Sequence, residues 1–299
     1  MKKLISLLIV CVLIGCISDI RYHIDKTTNP TDTLCYLKSD MSLLNGMVYN
    51  EFGDVGMFKN GKRVGLHKEW YENGQLRYEY NYKNNMVEVV KNYWNNGQIR
   101  IEENYQNDKL NGLSRVWYYN GQLKFIKNYT NYNYNGLFKK WYKNGQLESE
   151  GEFKESKKNG LHKEWYENGQ LKSVFSYNND LKDGLFNSWW ENSQIFFEMN
   201  YQNDSLIGTC RFYYENGQLD CEGIYQKGSL KKLKGWYENG QLKYERIYQN
   251  DSLKKHKDWY DDGRLKSEMD IFVFSPFEGR YYYKDWRNYV TSEEIKLLN

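Results

Sequence analysis

The chain has 299 residues and a formal net charge of +3, from 42 basic and 39 acidic side chains, which excludes a nucleic-acid surface because that needs a clustered basic excess. Hydrophobic content is 40%, below the roughly 45–50% of ordinary domains, yet 29 Tyr and 10 Trp are present. Many Tyr beside few Leu and Ile suit a thin sheet with half-wet faces rather than a thick core.

Residues 1–15 read as a signal peptide. Lys2 and Lys3 precede an apolar run of about ten residues, too short to span a membrane. The run closes on Leu13-Ile14-Gly15-Cys16, which resembles the bacterial lipobox. That resemblance implies cleavage before Cys16 and its lipidation, so the mature chain would hold a membrane through its N-terminal lipid. Ile17 stands where an Asp would mark inner-membrane retention. The expected location is therefore the bacterial cell envelope, on the outer membrane, with the leaflet open.

Residues 16–45 carry no repeat pattern and read as the lipidated N-terminus and a tether. Residues 46–65 read as a degenerate capping repeat. Nine repeats then run over residues 66–271 at a spacing of 23 or 24. Their turn glycines are Gly74, Gly97, Gly121, Gly145, Gly169, Gly217, Gly240 and Gly263, with Ser193 in the sixth slot. Residues 272–299 leave the pattern, and Thr291-Ser292-Glu293-Glu294 predicts a helix start within a C-terminal cap. Pro30 and Pro276 both fall outside the repeats, as a long hydrogen-bonded ladder requires.

A fixed period of this length means an array whose fold is read repeat by repeat. Counting from the turn Gly, position −1 is Asn in eight repeats and Asp262 in the ninth. Asn-Gly between aromatic-rich arms signals a hairpin, with arms at −8 to −3 and +1 to +8. The expected fold is all-β, an elongated, single, twisted antiparallel meander of tandem hairpins with short terminal caps. A two-residue type I′ turn would set −6 opposite +5, where six repeats offer opposite charges, as in Lys68/Glu79 and Arg211/Glu222. That register displays the −4 row on the charged face: Trp70, Trp117, Trp141, Trp165, Trp189, Trp236 and Trp259. A three-residue turn would instead set each −4 Trp against the +2 Leu as packing. The Asn-Gly preference and the charge pairs favour type I′.

No catalytic motif is present, and the chain reads as a non-enzyme. His67, His162 and His256 share position −7 with Val90, Phe138 and Phe186, which marks a packing slot. No metal ligand set or cofactor is expected. Loop acids such as Asp108, Asp180, Asp204 and Asp251 offer too few carboxylates per loop for tight calcium binding. Cys210 and Cys221 lie on two arms of one hairpin, either bonded or as two buried thiols.

The unit Gly-Leu-x-Lys-x-Trp-Tyr-x-Asn-Gly-Gln-Leu-x5-Tyr, closest at residues 160–177, resembles the MORN-repeat variant of YwqK-like proteins. The resemblance implies a repeat scaffold that binds proteins, in some members as an antitoxin. A lipid anchor fits an envelope immunity or scaffold role. The expected partner is a protein docked on the aromatic and charged face, since Trp, Tyr and Arg dominate binding hot spots. The alternative is a cell-wall or glycan ligand held by the aromatic rows.

Overall fold

The computed structural model of the chain describes residues 20–31, 34–275 and 280–285. Cys16 and the helix expected after Thr291 lie outside the described residues. The chain divides into two compact halves, Met1–Gly145 and Gln146–Asn299. In each, strands follow one another as an antiparallel meander of hairpins, the all-β array that the repeat period predicts.

The N-terminal half opens with a cap. Arg21–His23 runs parallel to Gly46–Asn50, which forms a hairpin with Gly53–Lys59. Thr27–Thr31 pairs with Leu34–Leu37, so part of the stretch read as a tether is folded. Its cause is a local cluster: Cys35, Leu44, Val48 and Phe58 bury one another. The Cys35 and Gly61 amides donate to Gly61 and Leu44 carbonyls at 2.8 Å, closing the backbone around that cluster. A contact set spread over 24 residues leaves no periodic trace in the sequence.

The repeats begin with Lys62–Trp70 and Leu76–Lys83. Their turn corrects the favoured type I′ expectation. The Gly74 amide donates to the Tyr71 carbonyl at 2.9 Å, and the Tyr71 amide to the Gln75 carbonyl at 2.8 Å. Within this loop of Glu72, Asn73 and Gly74, only Gly74 has positive φ, at 79°. This is a three-residue loop, a type I turn closed by one left-handed residue. The Asn73 side chain caps it by accepting from the Gln75 amide at 3.1 Å.

A β-bulge then reconciles both proposed pairings. Trp70 stands opposite Leu76, as the three-residue turn demands. One residue, Arg77, is extra, and beyond it Lys68 stands opposite Glu79, as the charge pairing demands. The same shift recurs at Trp165, Trp189, Trp236 and Trp259.

The type I′ turns exist, but between repeats. Asn84-Asn85, Asn107-Asp108, Asn179-Asp180 and Asn203-Asp204 each hold two consecutive positive φ values. Strand pairing continues up to them, as in Gln106↔Lys109, so these loops are tight hairpins.

The two repeat lengths also have a structural cause. In 24-residue repeats, position −9 is a glycine with positive φ, such as Gly112 at 103° or Gly184 at 100°. There the register shifts by two, with Phe175↔Phe186 followed by Tyr177↔Lys182. Where Glu88, Lys231 and Lys254 replace that glycine, the repeat has 23 residues and the shift is one, as in Asn81↔Val89 and Tyr82↔Val87. Deleting a residue removes the left-handed site, so the glycine is no longer needed.

Candidate interaction face

Alternation along the strands separates two faces. In Leu181–Trp189, Leu185 is exposed, Phe186 buried, Asn187 half-buried, Ser188 buried and Trp189 half-buried. Positions −8, −6 and −4 therefore share the wetter face. The seven Trp of the −4 row are all half-buried, neither an open display nor a core. Each ends its strand opposite a +2 residue or beside the bulge.

The charge pairs close as the sequence predicts. Lys68–Glu79 stands at 4.0 Å, Lys91–Glu102 at 3.7 Å, Arg211–Glu222 at 2.8 Å, Lys234–Glu245 at 3.6 Å and Lys257–Glu268 at 2.8 Å. The sequence reading missed their continuation into the next repeat. Glu102 also meets Arg115 at 2.9 Å, and Glu198 meets Arg211 at 3.9 Å. Position +5 pairs with the next −6, so signs alternate strand by strand. Lys232, at −8, reaches Glu245 at 2.7 Å, which places −8 on this face and holds the Glu245 carboxyl below its usual range.

A third row was also missed. Position −8 carries Leu66, Leu113, Leu137, Leu161 and Leu185, each 38–56% exposed. Where later repeats lose that Leu, the cross-strand partner at +7 becomes Ile224 or Ile247, each 39% exposed. Its signal in the sequence is the Gly-Leu that opens the motif, whose side of the strand only the register fixes.

The opposite face is an aromatic zipper. His67 lies between Phe58 and Tyr82, with ring centroids at 5.0 and 5.1 Å, and His162 lies likewise between Phe153 and Tyr177. Phe186 takes the same slot between Tyr177 and Tyr201. Burial lowers the His67 pKa to about 4, and the His162 pKa is also lowered chiefly by burial. These histidines pack, as their shared slot predicts. A Cβ on Gly151 would collide with the His162 ring and one on Gly56 with the His67 ring, so a glycine makes room for each of these two.

The motif residues themselves are spent on stacking repeats. Tyr166 Oη donates to the Trp189 carbonyl at 2.8 Å, and Tyr71, Tyr118, Tyr214 and Tyr237 repeat that bond to the next −4 carbonyl. Trp190 substitutes its indole N–H, at 3.2 Å from the Tyr213 carbonyl; buried Trp94 Nε1, among the described residues, has no partner. Asn192 Nδ2 donates to the Glu215 carbonyl at 2.8 Å, and Asn96, Asn120 and Asn239 do the same. The bare Cα face of Gly169 leaves space for Gln146 Oε1, which a Cβ would meet at 3.1 Å.

Two of the loop acids are spent too. Asp180 and Asp204 accept from the Lys158 and Lys182 amides of the preceding repeat at 2.7 and 2.6 Å, while their own amides donate back to the Lys158 and Lys182 carbonyls. Among the described residues no cluster could hold a metal ion. Cys210 faces Gly223 and Cys221 faces Phe212 across the hairpin, and both thiols are free. Burial pushes both thiol pKa values up, Cys221 to about 11, which leaves little thiolate.

Fold and face together define a tandem β-hairpin repeat protein. The family model of the MORN repeat variant matches residues 63–84, 89–107, 110–131, 134–155, 158–179, 182–203, 206–227 and 231–250. These segments cover more than half of the chain, which belongs to the MORN repeat variant family. Most of them end on the first residue of a type I′ turn, so each match is one hairpin. No curated protein matches the chain. Among solved structures, a chain of the "Crystal Structure of TcdB2-TccC3-TEV" shares 10% identity at a TM-score of 0.22, covering 80% of this chain and 16% of that one. The present chain thus spans about a sixth of that protein, and the likeness is too weak to bear on fold or function.

Proposed function

We propose that this chain is a non-enzymatic scaffold, tethered to the envelope membrane by lipid on Cys16, that docks a protein partner on its Leu, charge and Trp face. The observation that supports it is the aliphatic row at −8, five Leu each 38–56% exposed. Tyr, Asn, Gly and Gln of the motif are consumed in stacking, whereas these Leu side chains leave about half their surface to water. Within each half the Leu recur at one strand position with Asn or Ser on the strand beside them, a mixed apolar and polar surface of the kind protein interfaces use. Neutralising an envelope-directed toxin, the immunity role that the YwqK-like resemblance suggests, is the specific case.

A photoreactive residue at Leu161, and separately at Glu164, tests the reading in cells that make the protein. Both are exposed, and they sit an odd number of positions apart, on opposite faces. A discrete protein adduct from Leu161 alone is expected. An adduct from Glu164 alone, or from neither, would sink the reading. Cys16→Ser should move the protein from the membrane pellet to the soluble fraction; if it stays in the pellet, the tether is wrong.

A further inference from the structure

We infer that the occupant of this face in the C-terminal half is a second copy of the chain. The inference rests on reading that face as a docking surface, and it names the partner.

The argument starts from spacing. Glu198, Arg211, Glu222, Lys234, Glu245 and Lys257 stand in register on six neighbouring paired strands, with the sign alternating at every step. Neighbouring strands lie about 4.8 Å apart. An extended partner chain presents a residue every ~3.3 Å, with one face repeating at twice that, and a helix rises ~1.5 Å per residue. Neither matches an alternation at strand spacing. Another hydrogen-bonded ladder does, and this chain supplies one.

Symmetry completes the match. A two-fold axis parallel to the strands, passing between neighbouring strands, reverses their order. Every basic strand then meets an acidic one of the other copy. With the axis between Leu219–Gln226 and Ser229–Trp236, the same operation sets Ile224 on the Lys232 stem of the other copy, Ile247 on Thr209, and Trp236 on Leu219. One patch thus serves both sides, as a two-fold interface requires. The ladder has equal numbers of each sign across these six residues, so it offers no bias toward a wholly acidic or wholly basic partner.

The extent of the contact follows. Sheets twist by about 20–25° per strand, so the contact extends no further than these six strands. Five strand spacings by three rows give roughly 24 Å by 20 Å, on the order of 500 Å² per copy. That is the low end for a specific interface, the size of a transient, reversible contact.

Sedimentation velocity on the full chain, over a concentration series at low and high salt, tests this. A reversible monomer–dimer equilibrium is expected, weakening at least threefold from about 50 to about 500 mM salt as the ion pairs are screened. Ile224→Lys with Ile247→Lys, which sets like charge against Lys232 of the other copy, should weaken it at least tenfold. Ile224→Thr with Ile247→Thr keeps β-branched side chains and should weaken it by a smaller factor, with the circular dichroism spectrum unchanged. A chain that stays monomeric at several hundred micromolar overturns the inference. So does a dimer indifferent to both double variants or to salt. If a different protein is crosslinked through Leu161 while the purified chain stays monomeric, the docking face stands and the second copy falls.

Discussion

Each of the first eight repeats makes two reverse turns, and their residues obey different rules. The three-residue turn keeps Asn-Gly in seven repeats, Asp-Gly in one and Asn-Ser in one. The two-residue turns accept Asn-Asn, Asn-Tyr, Glu-Ser and Asn-Asp, although both of their residues need positive φ. Backbone geometry therefore does not explain the stricter edge. Its side chains do: Tyr, Asn and Gln each reach the next repeat there, so a change breaks a contact between repeats as well as a turn. At the other edge, an acceptor on the second turn residue is enough, as Asp180, Asp204 and Asn85 show.

The largest effect should come from neither edge but from between them, which makes acid a control. His67 has its pKa lowered to about 4 by burial, against about 6.5 in the unfolded chain. The unfolded state binds the proton first, so stability is full above pH 6.5 and falls as the pH drops toward 4. At about 1.4 kcal/mol per pKa unit, the loss should approach 3 kcal/mol by pH 4. Urea melts at pH 7 and pH 4 should show this loss, and His67→Phe should remove most of it. An equal loss in that variant would place the acid sensitivity at the edges.

Next comes an exchange of chemistry between the edges. Asn192→Asp keeps the acceptor for the Gln194 amide but loses the donor to the Glu215 carbonyl and sets a charge beside it. A cost of about 2 kcal/mol is expected. Asp204→Asn keeps its acceptor for the Lys182 amide and should stay within about 0.5 kcal/mol of the parent. Urea midpoints showing the reverse order would refute the division of roles.

Tyr166→Phe should cost about 1 kcal/mol, the worth of one hydroxyl bond to the Trp189 carbonyl. The smallest effect should be a gain. Ser193 holds φ at 66°, a left-handed conformation that glycine adopts freely. Ser193→Gly should stabilise by up to about 1 kcal/mol; a destabilised variant would show that the serine does more than fill the slot.

Much of the repeat was legible because it is local. The turn glycines, the hairpins, the −6/+5 charge pairs and the packing role of position −7 all follow from residues within one hairpin. The turn type was misread because Asn-Gly serves both kinds of hairpin, and only the φ of Asn73 and its carboxamide bond to Gln75 decide between them. The aliphatic row was missed for another reason. Leu185 and Phe186 are adjacent apolar residues, and sequence does not say which one faces water.

The sequence by itself determined a period, a hairpin per period and an all-β chain, because turn chemistry and alternation act over a few residues. The tertiary structure decided why each motif residue recurs. A hydroxyl on Tyr166 finds its acceptor 23 residues away, and a carboxylate on Glu102 finds a cation on either side, Lys91 and Arg115. Those partners exist only when repeats stack in one register, and that register depends on bulges whose length a single glycine sets.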